Sequence, residues 1–355
     1  MKGLEFPVVG TKVPGLTKKF DLNSPEGRKA YFEAKAGPEI AKIKEYLDKK
    51  TFVAYLIGKK NSGKGTYSQI FAEIFGADKI ALVSIGDIVR NTSANWDEIT
   101  KTEKYKKLKR IYRGYISFDD AVNALLGRTQ GALLPTEFIL ALLKLEIENH
   151  KGKTLFIDGL PRDLDQVSYS LYFRDLIDYR DDPDMFILID IPESVIDERI
   201  KYRVVCPNCK NTRNTKLLIT SKYGYDEKKN EFYLVCDSPR CKGGFRMEPK
   251  EGDNLGIGPI RSRLDKDEQI LRKAFALHGV PKVLLRNHVS VADSSKYFDD
   301  YEITPEYSFK LDEGKIKVVE KPWTIKDDNG VESVSLLSAP VVVTMLKQIA
   351  DILED

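Results

Sequence analysis

Between Phe52 and Thr66 the chain reads FVAYLIGKKNSGKGT, and its second half sets glycines and a lysine at the spacing Gly58-x-x-x-x-Gly63-Lys64-Gly65-Thr66. Glycines let backbone N–H groups close around an anion, and a lysine in such a loop reaches the outer phosphates of a nucleotide. The chemistry offered is phosphate binding, with the amides from Ser62 to Thr66 as the cradle. That chemistry needs a scaffold. Phe52–Ile57 has the length and the β-branched or aromatic character of a buried parallel strand, and Gly65–Phe75 carries helix-compatible apolar spacing. The loop therefore lies between a strand end and a helix N-terminus, where unpaired N–H groups and the helix dipole both favour an anion.

A second segment offers complementary chemistry. Lys153–Arg162 reads KTLFIDGLPR, a buried-type strand ending in Asp158 and followed by a Gly-Pro turn that presents Arg162. Ligands of α/β sheets bind at the carboxyl ends of parallel strands. An aspartate there can hold the water shell of Mg²⁺, and an arginine can clamp phosphate with two hydrogen bonds. Taken alone, a strand-end aspartate is more simply a turn residue.

Together these segments carry a resemblance to the nucleoside monophosphate kinases, adenylate kinase in particular. That family usually has Gly where Asn61 stands, and Asn tolerates left-handed backbone better than other non-glycine residues. Asp158-Gly159-Leu160-Pro161-Arg162 looks like the family's Asp-Gly-Phe-Pro-Arg signature, and Gln166 falls where the family reads the acceptor base. Ser84–Arg90 resembles the segment that opens the acceptor site, with Arg90 on the acceptor phosphate and Ile85 where relatives using AMP usually carry Thr. Gly131-Ala-Leu-Leu134-Pro135 is similar to the stretch whose backbone lines the adenine pocket. Arg199 and Arg203, one helical turn apart, match the arginines that cover donor adenine and hold phosphate. In the family two arginines eleven positions apart close from the lid onto the transferring phosphoryl group. Arg261 and Arg272 have that spacing, but the apolar pattern suits Arg263 better in the first role, which leaves Ala274 in the second.

The resemblance implies a P-loop NTPase fold of α/β class, with a parallel central sheet flanked by helices, a helical domain for the monophosphate and a lid. It implies ATP and AMP as substrates and Mg²⁺ as cofactor. Gly58, Ser62, Gly63, Lys64, Gly65, Thr66, Arg199 and Arg203 would bind ATP, and Ile85, Gly86, Arg90, Leu134, Gly159, Arg162 and Gln166 would bind AMP. Asp158, aided by Asp87, would organise the Mg²⁺ waters. Lys64, Arg162, Arg203, Arg272 and Arg261 or Arg263 would supply the catalytic positive charge. Kinases for UMP, CMP or GMP share this pattern. A nucleotide-binding regulatory or RNA-associated protein with little turnover is the alternative from another class.

The four cysteines fall in two pairs, Cys206-x-x-Cys209 and Cys236-x-x-x-x-Cys241. Such a set suits a tetrahedral structural Zn²⁺, with no open position for catalysis. The polar stretch between the pairs has a hairpin-like centre. A minority of the family carry a four-cysteine zinc site at this place, with a narrower second knuckle.

At 355 residues and 42% hydrophobic, the chain buries a sizeable core and exceeds the bare family fold by enough to require inserts. A formal charge of +3 is too small to imply a nucleic-acid partner, and the basic run EKYKKLKRIYR from Glu103 reads as a solvated helix face. No stretch reaches the roughly 18 apolar residues of a membrane span. The first residues, broken by Pro7 and Pro14, do not read as a secretory signal. A monomeric cytoplasmic protein is expected. The expected organisation is a helical extension over residues 1–50, a core of 51–85, 153–203 and 258–355, an acceptor domain of 86–152, and a zinc lid of 204–257. Ser24-Pro25-Glu26 opens a helix interrupted near Gly37-Pro38, and a closing helix starts at Ser338.

Overall fold

A computed structural model describes residues 2–128, 134–161, 183–238, 241 and 244–354. Its centre is a sheet of five parallel strands: β1 (Val53–Gly58), β2 (Ile80–Ser84), β3 (Thr154–Asp158), β4 (Asp184–Asp190) and, much later in the chain, β10 (Lys282–Arg286). They lie in the order β10-β4-β1-β3-β2. Successive side chains of β1 go to opposite faces, as a pleated strand requires. Ala54 and Leu56 join one core with Phe71, Ile187 and Leu346, whereas Val53, Tyr55 and Ile57 join another with Leu143, Phe186 and Leu271. Burial on both sides explains why β1 reads as one apolar run.

The first face is covered by α1 (Pro25–Leu47), α2 (Lys64–Phe75) and α11 (Ser338–Glu354), the second by α7 (Thr136–Glu148) and α9 (Arg261–Ala276). Ser24 caps α1, accepting a 3.1 Å hydrogen bond from the Gly27 N–H. The expected interruption is a non-helical Ala36 two residues before Pro38. The N-terminal segment is tied to the late part of the chain by buried polar groups. Lys35 lies 2.6 Å from Asp299, and Thr11 and Tyr31 donate to Glu302 at 2.6 and 2.5 Å.

Between β2 and β3 run α3 (Ile85–Ala94), α4 (Trp96–Ile99), α5 (Glu103–Ile111), α6 (Phe118–Leu125) and α7, which share a core of Trp96, Leu108, Phe138 and Leu142. After β4 come α8 (Glu193–Lys201) and short antiparallel strands: β5 (Arg203–Val205), β6 (Thr212–Asn214), the hairpin β7 (Lys222–Asp226) and β8 (Glu231–Val235), and β9 (Glu248–Pro249). Beyond α9 and β10 the chain forms β11 (His288–Ser290), α10 (Val291–Tyr297), a long hairpin of β12 (Pro305–Asp312) and β13 (Lys315–Pro322), then β14 (Thr324–Lys326) and β15 (Glu332–Ser335). Glu313 and Gly314 both take positive φ, 48° and 76°, as a tight hairpin turn requires. Among the described residues no helix is long and apolar enough to cross a membrane.

Candidate active site

The register of the sheet assembles the site. Leu56 on β1 pairs with Asp158 on β3, which pairs in turn with Ser84 on β2, so the loop after β1, Asp158 and the start of α3 meet at one carboxyl edge. Within the loop, Asn61 has a φ of 65° and Gly63 a φ of 104°. Asn at position 61 thus keeps the left-handed backbone that the usual glycine would supply. Gly58 is required by crowding: a Cβ there would lie 2.8 Å from Ser62 Oγ and 3.1 Å from the Ile189 side chain. No side chain caps α2, so its first N–H groups remain directed at the loop. Ser62 Oγ is buried without a hydrogen-bond partner, as suits a group that faces a phosphate oxygen.

Lys64 curls into the loop, donating to the carbonyls of Gly58 at 2.7 Å and Lys59 at 3.0 Å. Burial holds its ammonium below the ordinary lysine pKa, against the attraction of Asp158 and Asp267. Around the loop opens a cleft of about 900 Å³. Ser84, Gly86 and Arg90 line it on one side, Lys64, Thr66, Asp158, Gly159 and Arg263 in the middle, and Arg199, Arg203 and Leu217 on the other. Arg90 pairs with Asp87 on the same helix face. Arg203 is gripped by Asp253 through two hydrogen bonds, at 2.6 and 2.7 Å. Arg199 donates to the Asn61 carbonyl at 3.3 Å.

The structure separates the three arginines of α9. Arg263 lines the cleft and pairs with Asp267 at 2.8 Å. Arg261 and Arg272 do not line it: Arg261 pairs with Glu193, and Arg272 with Glu268 at 2.6 Å. The reason is helical phase. Eleven residues make about three turns, so Arg261 and Arg272 share a face, while Arg263 is roughly half a turn away from Arg261. The position that shares the Arg263 face three turns later is Ala274, fully buried in the core beneath the sheet. Ile85 is likewise buried in that core, so its side chain packs instead of facing an acceptor nucleotide. Leu134 packs against the same core, and Arg162 and Gln166 lie outside the described residues.

Two groups that local sequence did not single out belong to the site. Asp267 accepts the Lys60 N–H at 2.8 Å and so fixes the loop against α9; its only sequence signal is the four-residue spacing from Arg263. Lys59 is buried among Glu193 at 3.0 Å, Glu268 at 2.8 Å and Asp328 at 3.8 Å. Burial works against its charge, but the bonds to Glu268 and Glu193 hold its pKa above the ordinary value. It anchors the loop to three separate segments.

The four cysteine sulfurs all lie within 4.8 Å of one another. Cys206 and Cys241 are 3.9 Å apart, and Cys209 and Cys236 3.6 Å. A metal–sulfur bond of about 2.3 Å in a tetrahedron sets neighbouring sulfurs about 3.8 Å apart, so the dimensions fit a thiolate-bound ion. Burial tends to raise the Cys206 pKa, but backbone N–H groups of Cys209 and Asn208 bring it below the usual thiol value.

The parallel sheet, the glycine loop at its carboxyl edge and the uncapped helix behind it define a P-loop NTPase fold. No protein-family model matches the chain. Among curated proteins, it is 31% identical over 166 residues to the adenylate kinase of Elusimicrobium minutum, covering 47% of this chain and 65% of that one. It is 31% identical over 184 residues to the adenylate kinase of Kosmotoga olearia, covering 51% and 68%. A GTP:AMP phosphotransferase, mitochondrial, of Drosophila melanogaster is 31% identical over 154 residues, covering 43% and 57%. The chain thus spans about two thirds of the length of the first of these relatives. It belongs to the adenylate kinase family.

Proposed function

We propose that the protein transfers the γ-phosphoryl group of ATP to AMP, giving two ADP, and that Mg²⁺ assists while a structural Zn²⁺ staples the lid. The observation that carries this reading is the single cleft in which Lys64 and the phosphate loop lie between Arg90 on one side and Arg199 on the other. In-line transfer between two bound nucleotides needs no covalent intermediate. Its transition state spreads charge over the phosphoryl oxygens, so catalysis rests on positioning and on positive charge in a site that excludes water. The loop amides and Lys64 hold the donor phosphates, Arg199 covers the donor base, Arg90 and Arg162 hold the acceptor phosphate, and Arg263 stands over the gap. Arg203 joins the donor phosphates by exchanging its bond to Asp253. Asp158 offers the hard oxygens that suit hydrated Mg²⁺, which would neutralise phosphate charge when bound; Asp87, its expected helper, pairs with Arg90. The GTP:AMP relative shows that the donor base varies among similar proteins.

A coupled assay with ATP and each of AMP, GMP, CMP and UMP tests the acceptor. AMP is expected to give the highest kcat/KM, because the Gln166 amide can pair with the adjacent donor and acceptor on adenine's edge. Gln166→Ala then impairs AMP use by about 1–3 kcal/mol, and impairs pyrimidine use less. A higher kcat/KM for UMP or CMP in the unmodified protein overturns the adenylate assignment and leaves the wider kinase assignment standing.

Helical phase gives a second expectation. Arg263→Ala lowers kcat about a hundredfold, the loss of roughly one transition-state charge contact. Arg261→Ala and Arg272→Ala, whose partners are Glu193 and Glu268 outside the cleft, change kcat by less than about threefold. Steady-state kinetics of the three variants check this, and an Arg272→Ala loss as large as that of Arg263→Ala restores the eleven-residue pair.

A further inference from the structure

We infer that the segment between α10 and β14 builds part of the donor-nucleotide pocket, and that the Trp323 indole is the wall against which the donor base lies. This rests on the donor-site reading above.

The segment is fastened at both ends and in the middle. Its start is stitched to the strand before α11, with the Thr304 N–H donating to the Ser335 carbonyl at 2.8 Å. The β12–β13 hairpin then reaches the lid. Tyr307 N–H donates to the Lys216 carbonyl at 2.7 Å, and Phe309 stacks on Phe232 of β8 with ring centroids 5.5 Å apart. On its return the hairpin delivers Trp323 into a cluster with Ile196 and Ile200 of α8, Leu217 of the lid and Leu264 of α9. Only 4% of Trp323 is exposed, and the residue lines the cleft together with Thr304, Leu217, Leu336 and Arg199.

This end of the cleft differs in chemistry from the end at Lys64. Trp323, Leu217, Leu336 and Thr304 line it beside Arg199, with Arg203 and Arg213 close by on the lid side. An apolar patch beside guanidinium planes suits a flat base, which packs on both. A planar ring packed by this cluster keeps its orientation, so contact with a base costs it no rotamer freedom. With most of the ring covered, the base meets only its small exposed part, an apolar contact that any base can make. Trp323 therefore contributes to donor affinity rather than to the choice between ATP and GTP.

The chain has two tryptophans, and Trp96 belongs to the separate core of α3–α7. In a Trp96→Phe protein, emission reports on Trp323 alone. This protein is titrated with ATP and with inorganic tripolyphosphate, which carries the phosphates without a base, and phosphoryl transfer is measured on the same preparation. ATP is expected to change the emission saturably, while tripolyphosphate leaves it unchanged. Equal responses to both would assign the signal to phosphate-driven closure and overturn the inference, as would no response to saturating ATP. Trp323→Phe is expected to keep the KM for ATP within about twofold, whereas Trp323→Leu raises it about three- to tenfold with kcat and the KM for AMP unchanged. An unchanged KM for ATP in Trp323→Leu also overturns it. If the unmodified protein transfers no phosphoryl group, the functional reading falls, and the ATP titration still decides whether Trp323 meets the base.

Discussion

Lys64→Ala is expected to lower turnover by roughly 10²–10³-fold while the protein stays folded, because a preorganised charge at a transferring phosphoryl group is worth about 3–4 kcal/mol in the transition state. The loop already holds this ammonium in place through the carbonyls of Gly58 and Lys59. The cost of its burial is offset in part by Asp158 and Asp267. Catalysis therefore has little reorganisation to supply when substrate arrives. Removing the side chain also removes two hydrogen bonds within the loop, so Lys64→Met, which retains most of the stem, serves as the companion variant. Loop shape is secured independently by Asp267 on the Lys60 N–H and by the carboxylates around Lys59. For that reason both variants are expected to unfold within a few degrees of the parent. Circular dichroism and steady-state kinetics on the same samples check the two halves of the expectation. Near-normal turnover in a folded Lys64→Ala protein sinks the kinase reading.

The phosphate loop was legible in the sequence because its determinants are local. An apolar strand, glycines at fixed spacing and a lysine all fall within fifteen residues, and even the Asn61 departure could be read from Asn's tolerance of left-handed backbone. The α9 arginines were half legible. Spacing alone admitted Arg261 with Arg272, and only the face that α9 turns to the sheet, set by Ile270, Leu271 and Ala274, brings Arg263 to the cleft. Trp323 and the carboxylates around Lys59 were not legible at all. Asp328 reaches Lys59 from 269 positions away in the chain, and no periodicity links such residues. The β12–β13 hairpin was only partly visible because its strands are polar on one side and bury little on the other; what places Phe309 is Phe232, a residue of the lid. Ile85 misled for a related reason. Its sequence neighbours, Gly86 and Arg90, line the cleft, but the first residue of α3 points back into the core.

Removing the Zn²⁺ proposed for the four cysteines is expected to cost more than about 3 kcal/mol of stability in the proposed lid, because that segment has little core of its own. Among the described residues the buried cluster around the sulfurs is Val204, Leu234 and Met247 with Cys206, Cys236 and Cys241, so half of that cluster is thiols. Without an ion, those sulfurs offer one another only weak contacts, and three small strand pairs cannot hold the segment together. With an ion, each thiolate is fixed by a bond. The purified protein is expected to contain one zinc per chain, and Cys206→Ser to release it. The sheet does not depend on the lid, since its cores draw on β1–β4, β10 and the helices around them. The β12–β13 hairpin moreover braces β7 and β8 through Phe309 against Tyr223 and Phe232. Calorimetry on Cys206→Ser is therefore expected to show a lid transition well below that of the core rather than a uniform fall. Acceptor selectivity should be preserved, because Arg90 and the α3 segment lie on the other side of the cleft from the cysteines. Elemental analysis after purification without chelators decides the first point: a protein with no metal at that stage, and with an undiminished lid transition in Cys206→Ser, removes the zinc from this account.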